Sequence, residues 1–592
     1  MNRPASRNRP ATNRPPLVGQ VLGAQDATPL GFWVAVHRDA YLQLDDVVLV
    51  RTSLPNGTVI HLYGVVDLVR ARYEGTQFDS DVFLVTAGLL PAETSMAAHV
   101  AVTRVEPEIF VPPRPGEEVY LAVEERDIAL FFDGMRRRLP LGAGRDDLPV
   151  YGNLDFLDGT RGAHVNISGI SGVATKTTYA TFLLYNLFHS GALGAAAANS
   201  RALIFNVKGE DLLSLDRENA RLDDEARTLY ARLGLRAGPF KSVRIRAPVR
   251  RGAAAALPDT TRQEGVTAFF WTLREFARER YLRFLFADAD AESDLLASVI
   301  YRIETQLARA ADQEGGPDDP WIAIGGRRIG SFEALVETLR TLCEARGESD
   351  DAGEGEDGEV PRLAVRRHDW VGSAAAGTLS AFVRRLEAAR EPVGHLIRGD
   401  GVERAPEHRI DLGRDQVTVI DLHNLRERAQ RFVVGVVLKR MFEDKESRGA
   451  REPLVFVVLD ELNKYAPRDG WSPIKEILLD IAERGRSLGI ILIGAQQTAS
   501  EVERRVVSNC AFRVVGRLDA AEAAREEYGF LPAATRQRAA ILKPGTMIVQ
   551  QPEIPMPLLI RFPFPAWATC PAEVGGRAEA EETEELFERL ES

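Results

Sequence analysis

The period at which hydrophobic residues recur changes several times along this chain. From Leu17 to about Pro115 they alternate with polar residues in short runs: FWVAV, DDVVLVRT, TVIHLYGVVDLV, HVAVTRV and, just beyond, EEVYLAV. Period-two runs of this length mark strands with one buried face, and Asn56-Gly57 is a hairpin signal. Several such strands at close spacing predict a small β-barrel. Further on the runs become continuously apolar: ALIFNV, VRIRAP, VTVIDL, LVFVVL, IILIGA, AFRVV and TMIVQQ. Separated mainly by helical segments, they predict a parallel sheet covered on both faces. From about Thr267 to Arg346 the period is helical, as in FFWTLREFARERYLRFLF and LLASVIYRIETQLARAA, and Ala374 to Arg390 is helical again. That region reads as a helical insertion between two halves of the sheet.

The stretch with the most chemistry is Ala163–Phe188, AHVNISGISGVATKTTYATFLLYNLF. A short strand leads into a Gly/Ser-rich loop, then Lys-Thr, then a helix. This is the layout of a phosphate-binding loop, in which backbone N–H groups and the helix N-terminus cradle phosphates. The candidate nucleotide-binding residues are Gly169, Ser171, Gly172, Val173, Ala174, Thr175, Lys176, Thr177 and Thr178. Lys176 would reach the terminal phosphates, and the Thr177 hydroxyl would hold Mg2+. The spacing departs from G-x-x-x-x-G-K-[ST]: Thr175 stands where the last glycine belongs, and Gly169 lies one residue too far upstream. Taken alone, the loop reads equally well as a strand-to-helix turn with an incidental lysine.

Its company changes that reading. The apolar run LVFVVL ends in Asp460-Glu461, and IILIGAQ ends in Gln496 one helix later. Asp460 would share the Mg2+ shell, Glu461 would polarise the attacking water, and Gln496 would sense the γ-phosphate. Arg484 and Arg486 lie near the end of the intervening helix. In a ring, one of them, with Arg486 favoured, would reach a neighbour's nucleotide as an arginine finger.

Composition narrows the class. A chain of 592 residues with 45% hydrophobic and 27% charged residues is an ordinary globular protein of several domains. No apolar run is long enough to cross a bilayer and the N-terminus lacks an apolar signal core, so a cytoplasmic protein without a membrane partner is expected. Cys343, Cys510 and Cys570 lack metal-site spacing and read as reduced thiols. The net charge of −12 is concentrated in 344–359, at −7, and 573–592, at −6. The body is therefore near neutral, which leaves a locally basic lining for an anionic polymer open.

Several elements in one order resemble HerA, of the HerA/FtsK branch of RecA-like motors. They are the barrel beginning VGQV, the loop, NVKGED, VTVIDL, VVLDELNKYAP, ERGRSLGI, GAQQTASEVERRVVSNC and LKPGTMIVQQPEIPMPLLIRF. The resemblance spans roughly 17–565. It implies an α/β fold: a RecA-like P-loop ATPase core with a mostly parallel sheet, a small N-terminal β-barrel and a helical insertion. The corresponding division is a disordered basic arm at 1–16, a barrel at 17–115, the core at 116–255 and 411–565, the insertion at 256–410 with an acidic disordered loop at about 347–360, and an acidic tail at 566–592. It also implies a hexameric, ATP- and Mg2+-dependent translocase on double-stranded DNA, working with a NurA-like nuclease or a phage-defence effector. Family members carry GxTGSGK[ST] and TQRPS where this chain has GISGVATKT and AQQTAS. An acid is also usual at the position of Asn206. Lys464, Arg468 and Lys475, just after the acid pair, are candidates to face a DNA channel. Two alternatives stay open: a weakly hydrolysing ring that organises a nuclease or NAD-consuming effector, and a conjugation or secretion ATPase.

Overall fold

The computed structural model describes residues 15–124, 126–131, 135–170, 176–253, 255–287, 294–316, 318–345, 365–399 and 405–574. Most of the basic arm, all of the acidic loop, the tail from 575 and Ser171, Gly172, Val173, Ala174 and Thr175 lie outside the described residues. The chain divides into two compact units, Met1–Asn153 with Arg513–Phe562, and Leu154–Phe512 with Pro563–Ser592.

Among the described residues, the second unit holds seven parallel strands of one sheet. In chain order they are β1 (Val165–Ser168), β2 (Arg201–Asn206), β3 (Val243–Pro248), β4 (Val266–Phe269), β5 (Val417–Asp421), β6 (Val455–Leu459) and β7 (Ile490–Gln496). Their spatial order is β4-β3-β5-β2-β6-β7-β1, with every neighbouring pair parallel. β6 and β7 are buried at every position, as their unbroken apolar runs require when helices cover both faces. The strand that leads into the glycine loop is β1. It pairs with β7, and β7 pairs with β6, so one strand separates the loop from the acid pair.

The helices that matter for the site are α1 (Lys176–His189), α2 (Glu427–Arg448), α3 (Leu462–Tyr465) and α4 (Pro473–Leu488). The ends of α4 follow from its sequence. The Ser472 hydroxyl accepts from the Lys475 N–H, Pro473 occupies the first turn, and Gly489 closes the helix at φ 69°. A Cβ on Gly489 would stand 1.9 Å from the Arg451 carbonyl oxygen, so both the backbone angle and the space demand glycine.

One stretch read as helical is partly extended. Val266–Phe269 joins the sheet beside β3, and the helix begins only at Leu273. Thr272 and Glu275 form a capping box there, which sets the boundary that a short aromatic run leaves ambiguous. Helices Asp294–Gln313, Phe332–Glu344 and Ala376–Val393 follow, and their apolar faces join the same core as α2 and α4.

The first unit contains a closed barrel of six antiparallel strands, in the order 17–21, 31–36, 93–106, 59–74, 47–53 and 118–121. The alternating runs line it with Val18, Phe32, Val34, Val48, Val50, Ile60, Leu62, Val100 and Val119. The same unit holds an antiparallel ladder, and here the sequence expectation is corrected. AFRVV and TMIVQQ are antiparallel neighbours, so they cannot both belong to the parallel set. Thr546–Gln551 then turns straight back into Ile554–Arg561, which pairs with Arg138–Ala143 and so with Pro149–Asn153. Apolar runs carry no record of strand direction. Here the two-residue Pro552-Glu553 turn reverses the chain. Among the described residues, no helix is long and apolar enough to cross a membrane, and no three or more His, Cys, Asp or Glu side chains cluster as metal ligands. No disulfide joins the three cysteines.

Candidate active site

Parallel strands point their C-terminal ends to one edge of the sheet, and polar residues end four adjacent strands there. Ser168 ends β1, Gln496 ends β7, Asp460-Glu461 follow β6, and Asn206 ends β2. Such an edge is where open α/β sheets bind ligands.

Lys176 and Thr177 open α1, where the first-turn N–H groups have no partner within the helix. The Thr177 hydroxyl donates to Asp460 Oδ2 at 2.7 Å, across 283 positions of sequence. Asp460 is itself buried, and its Oδ1 accepts from the Glu461 N–H at 2.8 Å. Lys176 is only 2% exposed. Burial pushes its pKa below the usual lysine range. The charge of Asp460 resists the shift, Lys208 adds to it, and Glu461 resists it. A desolvated cation beside two carboxylates and a hydroxyl is thus the centre of this edge.

Glu461 adopts a left-handed backbone, φ 55° and ψ 43°. For a non-glycine residue that costs on the order of 1 kcal/mol or more. Its carboxylate forms ion pairs with Lys208, just after β2, and with Lys464 on α3. Burial alone would raise its pKa, but hydrogen bonds and charge from the two lysines outweigh that and hold it below the usual range.

Gln496 is fully buried, and its amide faces β1. Its Nε2 donates to Asn166 Oδ1 at 2.9 Å and to Ser168 Oγ at 3.2 Å. Its backbone carbonyl oxygen accepts from the Gly169 N–H at 3.1 Å, which ties the start of the loop to β7. Thr178 follows Thr177 in the first turn of α1 and is half-buried. His164 braces the other end of β1. Its Nδ1 accepts from the Leu492 N–H at 2.9 Å, and burial pushes its pKa from 6.5 down to about 4. It therefore sits neutral in the fold, and the unfolded chain takes up its proton first as pH falls. Its contribution is complete above about pH 6.5 and is lost between 6.5 and 4, by about 3 kcal/mol. The stability gap between wild type and His164→Gln is expected to narrow over that interval, as read by chemical denaturation at pH 7.5 and 4.5. A constant gap would show that the ring does not titrate this way.

The two candidate finger arginines are differently placed. Arg486 is exposed and donates to the carbonyl oxygens of Gly159 at 3.3 Å and Thr160 at 3.1 Å. Arg484 pairs with Glu446 and lies over the Phe442 ring. Of the channel candidates, Lys475 is corrected. It is buried and committed to the carbonyls of Arg468 and Gly470 and to Glu503, because α4 packs its first turn inward. Lys464 is spent on Glu461. Arg468 stays exposed, in the same loop as Trp471, which is 44% exposed.

Sequence reasoning gives Lys208 only a place among the polar residues at a strand's ligand-facing end, and gives Asn166 and Ser168 no role. Lys208 was discoverable from its place after a parallel strand. Asn166 and Ser168 become meaningful only once β1 is known to lie beside β7. The Asn206 amide donates to Asp421 Oδ1 at 3.0 Å and to the Gly209 carbonyl at 2.9 Å.

No protein-family profile matches the sequence, and no curated protein matches it. Among solved structures, VirB4 of Thermoanaerobacter pseudethanolicus is similar at 15% identity, over 73% of this chain and 97% of that one, with a TM-score of 0.42. The unbound bacterial conjugative coupling protein TrwBdeltaN70 is similar at 12% identity, over 74% and 92%, with a TM-score of 0.43. The genome packaging NTPase B204 from Sulfolobus turreted icosahedral virus 2, in complex with AMPPCP, aligns at 12% identity over 25% and 69%, with a TM-score of 0.20. At these values the functional reading rests on the geometry of the site itself.

Proposed function

We propose that this chain hydrolyses ATP with Mg2+ and couples the reaction to movement along double-stranded DNA as a subunit of a homohexameric ring. One observation carries the hydrolytic half: the Thr177 hydroxyl bonded to Asp460, beside the buried ammonium of Lys176. Hydroxyl and carboxylate oxygens are hard donors that suit magnesium, and these two already lie together, so the residues fit the ion. Bound magnesium–ATP supplies the phosphoanhydride bond and a Lewis acid on its phosphoryl oxygens.

The chain's own groups have separate tasks. Thr177 and Asp460 hold the ion. Lys176 and the first-turn N–H groups of α1, with the loop from Gly169 to Thr178, present fixed positive charge and dipoles to the phosphates. Glu461 takes the proton of the attacking water. Gln496, locked to Asn166 and Ser168, is placed to transmit a change at β7 to the loop strand. Arg486 completes a neighbouring subunit's site, since it is exposed and bonded to two backbone carbonyls. Arg484 is the alternative.

The DNA half is supported by the resemblance and by exposed Arg468 and Trp471, which lie in one loop just after the acid pair. A NurA-like nuclease or a defence effector is the expected partner. A weakly hydrolysing scaffold remains the second reading, favoured by Thr175 in the loop and by the pairing of Glu461 with two lysines.

The test is steady-state ATP hydrolysis with and without Mg2+ and linear duplex DNA, alongside the mass of the assembly in solution. Hydrolysis is expected to require Mg2+ and to rise with DNA. Contacts confined to phosphates predict that DNA affinity falls by about 10³-fold or more between 50 and 200 mM salt. Magnesium-independent, DNA-insensitive background hydrolysis would leave only the scaffold.

A further inference from the structure

The residue placed to activate water is already occupied. Glu461 is paired with Lys208 and Lys464, one from each side, and its side chain is only 12% exposed. The lysine side chains are 44% and 40% exposed. A bulky polyanion can therefore reach the cations but not the carboxylate.

Lys208 is not loosely placed. Asn206 Nδ2 bonds both the Gly209 carbonyl and Asp421 Oδ1, closing the turn that carries Lys208. Gly209 takes the left-handed conformation at φ 56°. His423 Nδ1 meets the same Asp421 oxygen at 2.7 Å, so the turn is anchored to β5. Lys464 is fixed by α3, three residues beyond Glu461 on the same face.

Lys208 engages one oxygen of this carboxylate and Lys464 the other, so neither oxygen is left free to take a proton from water.

We propose that Lys208 and Lys464 are positioning residues that hold Glu461 in an idle pairing, and that the phosphates of double-stranded DNA release it by drawing the two ammonium groups away. The proposal rests on the ATPase reading above and deepens it, since it gives DNA a route to the hydrolytic residue. Ammonium groups on flexible stems suit such an exchange, because they bind carboxylate and phosphate oxygens alike as point charges.

The experiment uses the full-length protein with Lys208→Met, Lys464→Met and the double substitution. Hydrolysis is measured with and without linear duplex DNA. The double variant's basal kcat is expected to rise about 5-fold or more, toward the DNA-stimulated rate of wild type. Its stimulation ratio should approach one, while KM for ATP stays within about 2-fold. Lys208→Arg should restore the low basal rate. Weakened DNA binding alone would lower the ratio without raising the basal rate, and that result overturns the proposal. So does an increase in KM of about 10-fold, which would make Lys208 a phosphate ligand. Glutamine at both positions is the second pair, should the methionine variants fold poorly. If wild-type hydrolysis is abolished by Lys176→Ala but the lysine variants keep the wild-type ratio, only this proposal fails. If wild type shows no Lys176-dependent hydrolysis, the ATPase reading fails and takes this proposal with it.

Discussion

Glu461→Gln should lower kcat by about 10³-fold while ATP binding stays within a few-fold of wild type. The substitution keeps the volume of the side chain and removes both its charge and its ability to accept a proton. Asp460 keeps its bond to Thr177 and its acceptance of the residue-461 N–H, so the metal-binding pair is undisturbed. Lys208 and Lys464 each lose a charged partner. Both are substantially exposed, so water takes them up at little cost in stability. The expected protein is thus folded, binds nucleotide and is slow. Single-turnover hydrolysis and equilibrium binding of an ATP analogue separate those properties. A variant that turns over near the wild-type rate would remove Glu461 from the chemistry and move the search for a base elsewhere on this edge.

Lys176→Ala should reduce ATP affinity by about 10²-fold or more and bring hydrolysis to background. An ammonium already stripped of water gives phosphate a charge-assisted hydrogen bond without paying that desolvation again on binding. Burial disfavours the cation in the ligand-free fold, as the downward shift of its pKa indicates. Removing it ends that desolvation cost but also takes a cation from buried Asp460, and the two effects offset, so the melting temperature should change little. Loss of binding with retained stability is the diagnostic combination. Unaltered affinity for the analogue would mean that the glycine loop and Lys176 hold something other than a triphosphate.

The strands around the site were readable because a strand buried on both faces must be apolar throughout, and few other elements need that. The acid pair and Gln496 stood out as the first polar residues after such runs. Direction was not readable. The runs at 511–515 and 546–551 resemble the parallel strands in composition, yet they pair antiparallel. Their neighbours, Ile554–Arg561 and Arg138–Ala143, carry proline or glycine and escape a propensity argument. Val266–Phe269 was absorbed into a helical pattern because four apolar residues before a capped helix fit either period.

The sequence by itself determined the element types and the chemical kinds available: a lysine–threonine pair opening a helix, an acid pair closing a strand, and an amide closing another. Local pattern and residue chemistry suffice for those. Only the tertiary structure decided which of them meet. It put Thr177 against Asp460, turned Gln496 toward Asn166 and Ser168, buried Lys475 and set Lys208 on Glu461. Each contact joins segments far apart in the chain or depends on which face of a helix packs inward. Strand order and packing fix both, and neither is written in the periodicity of any one segment.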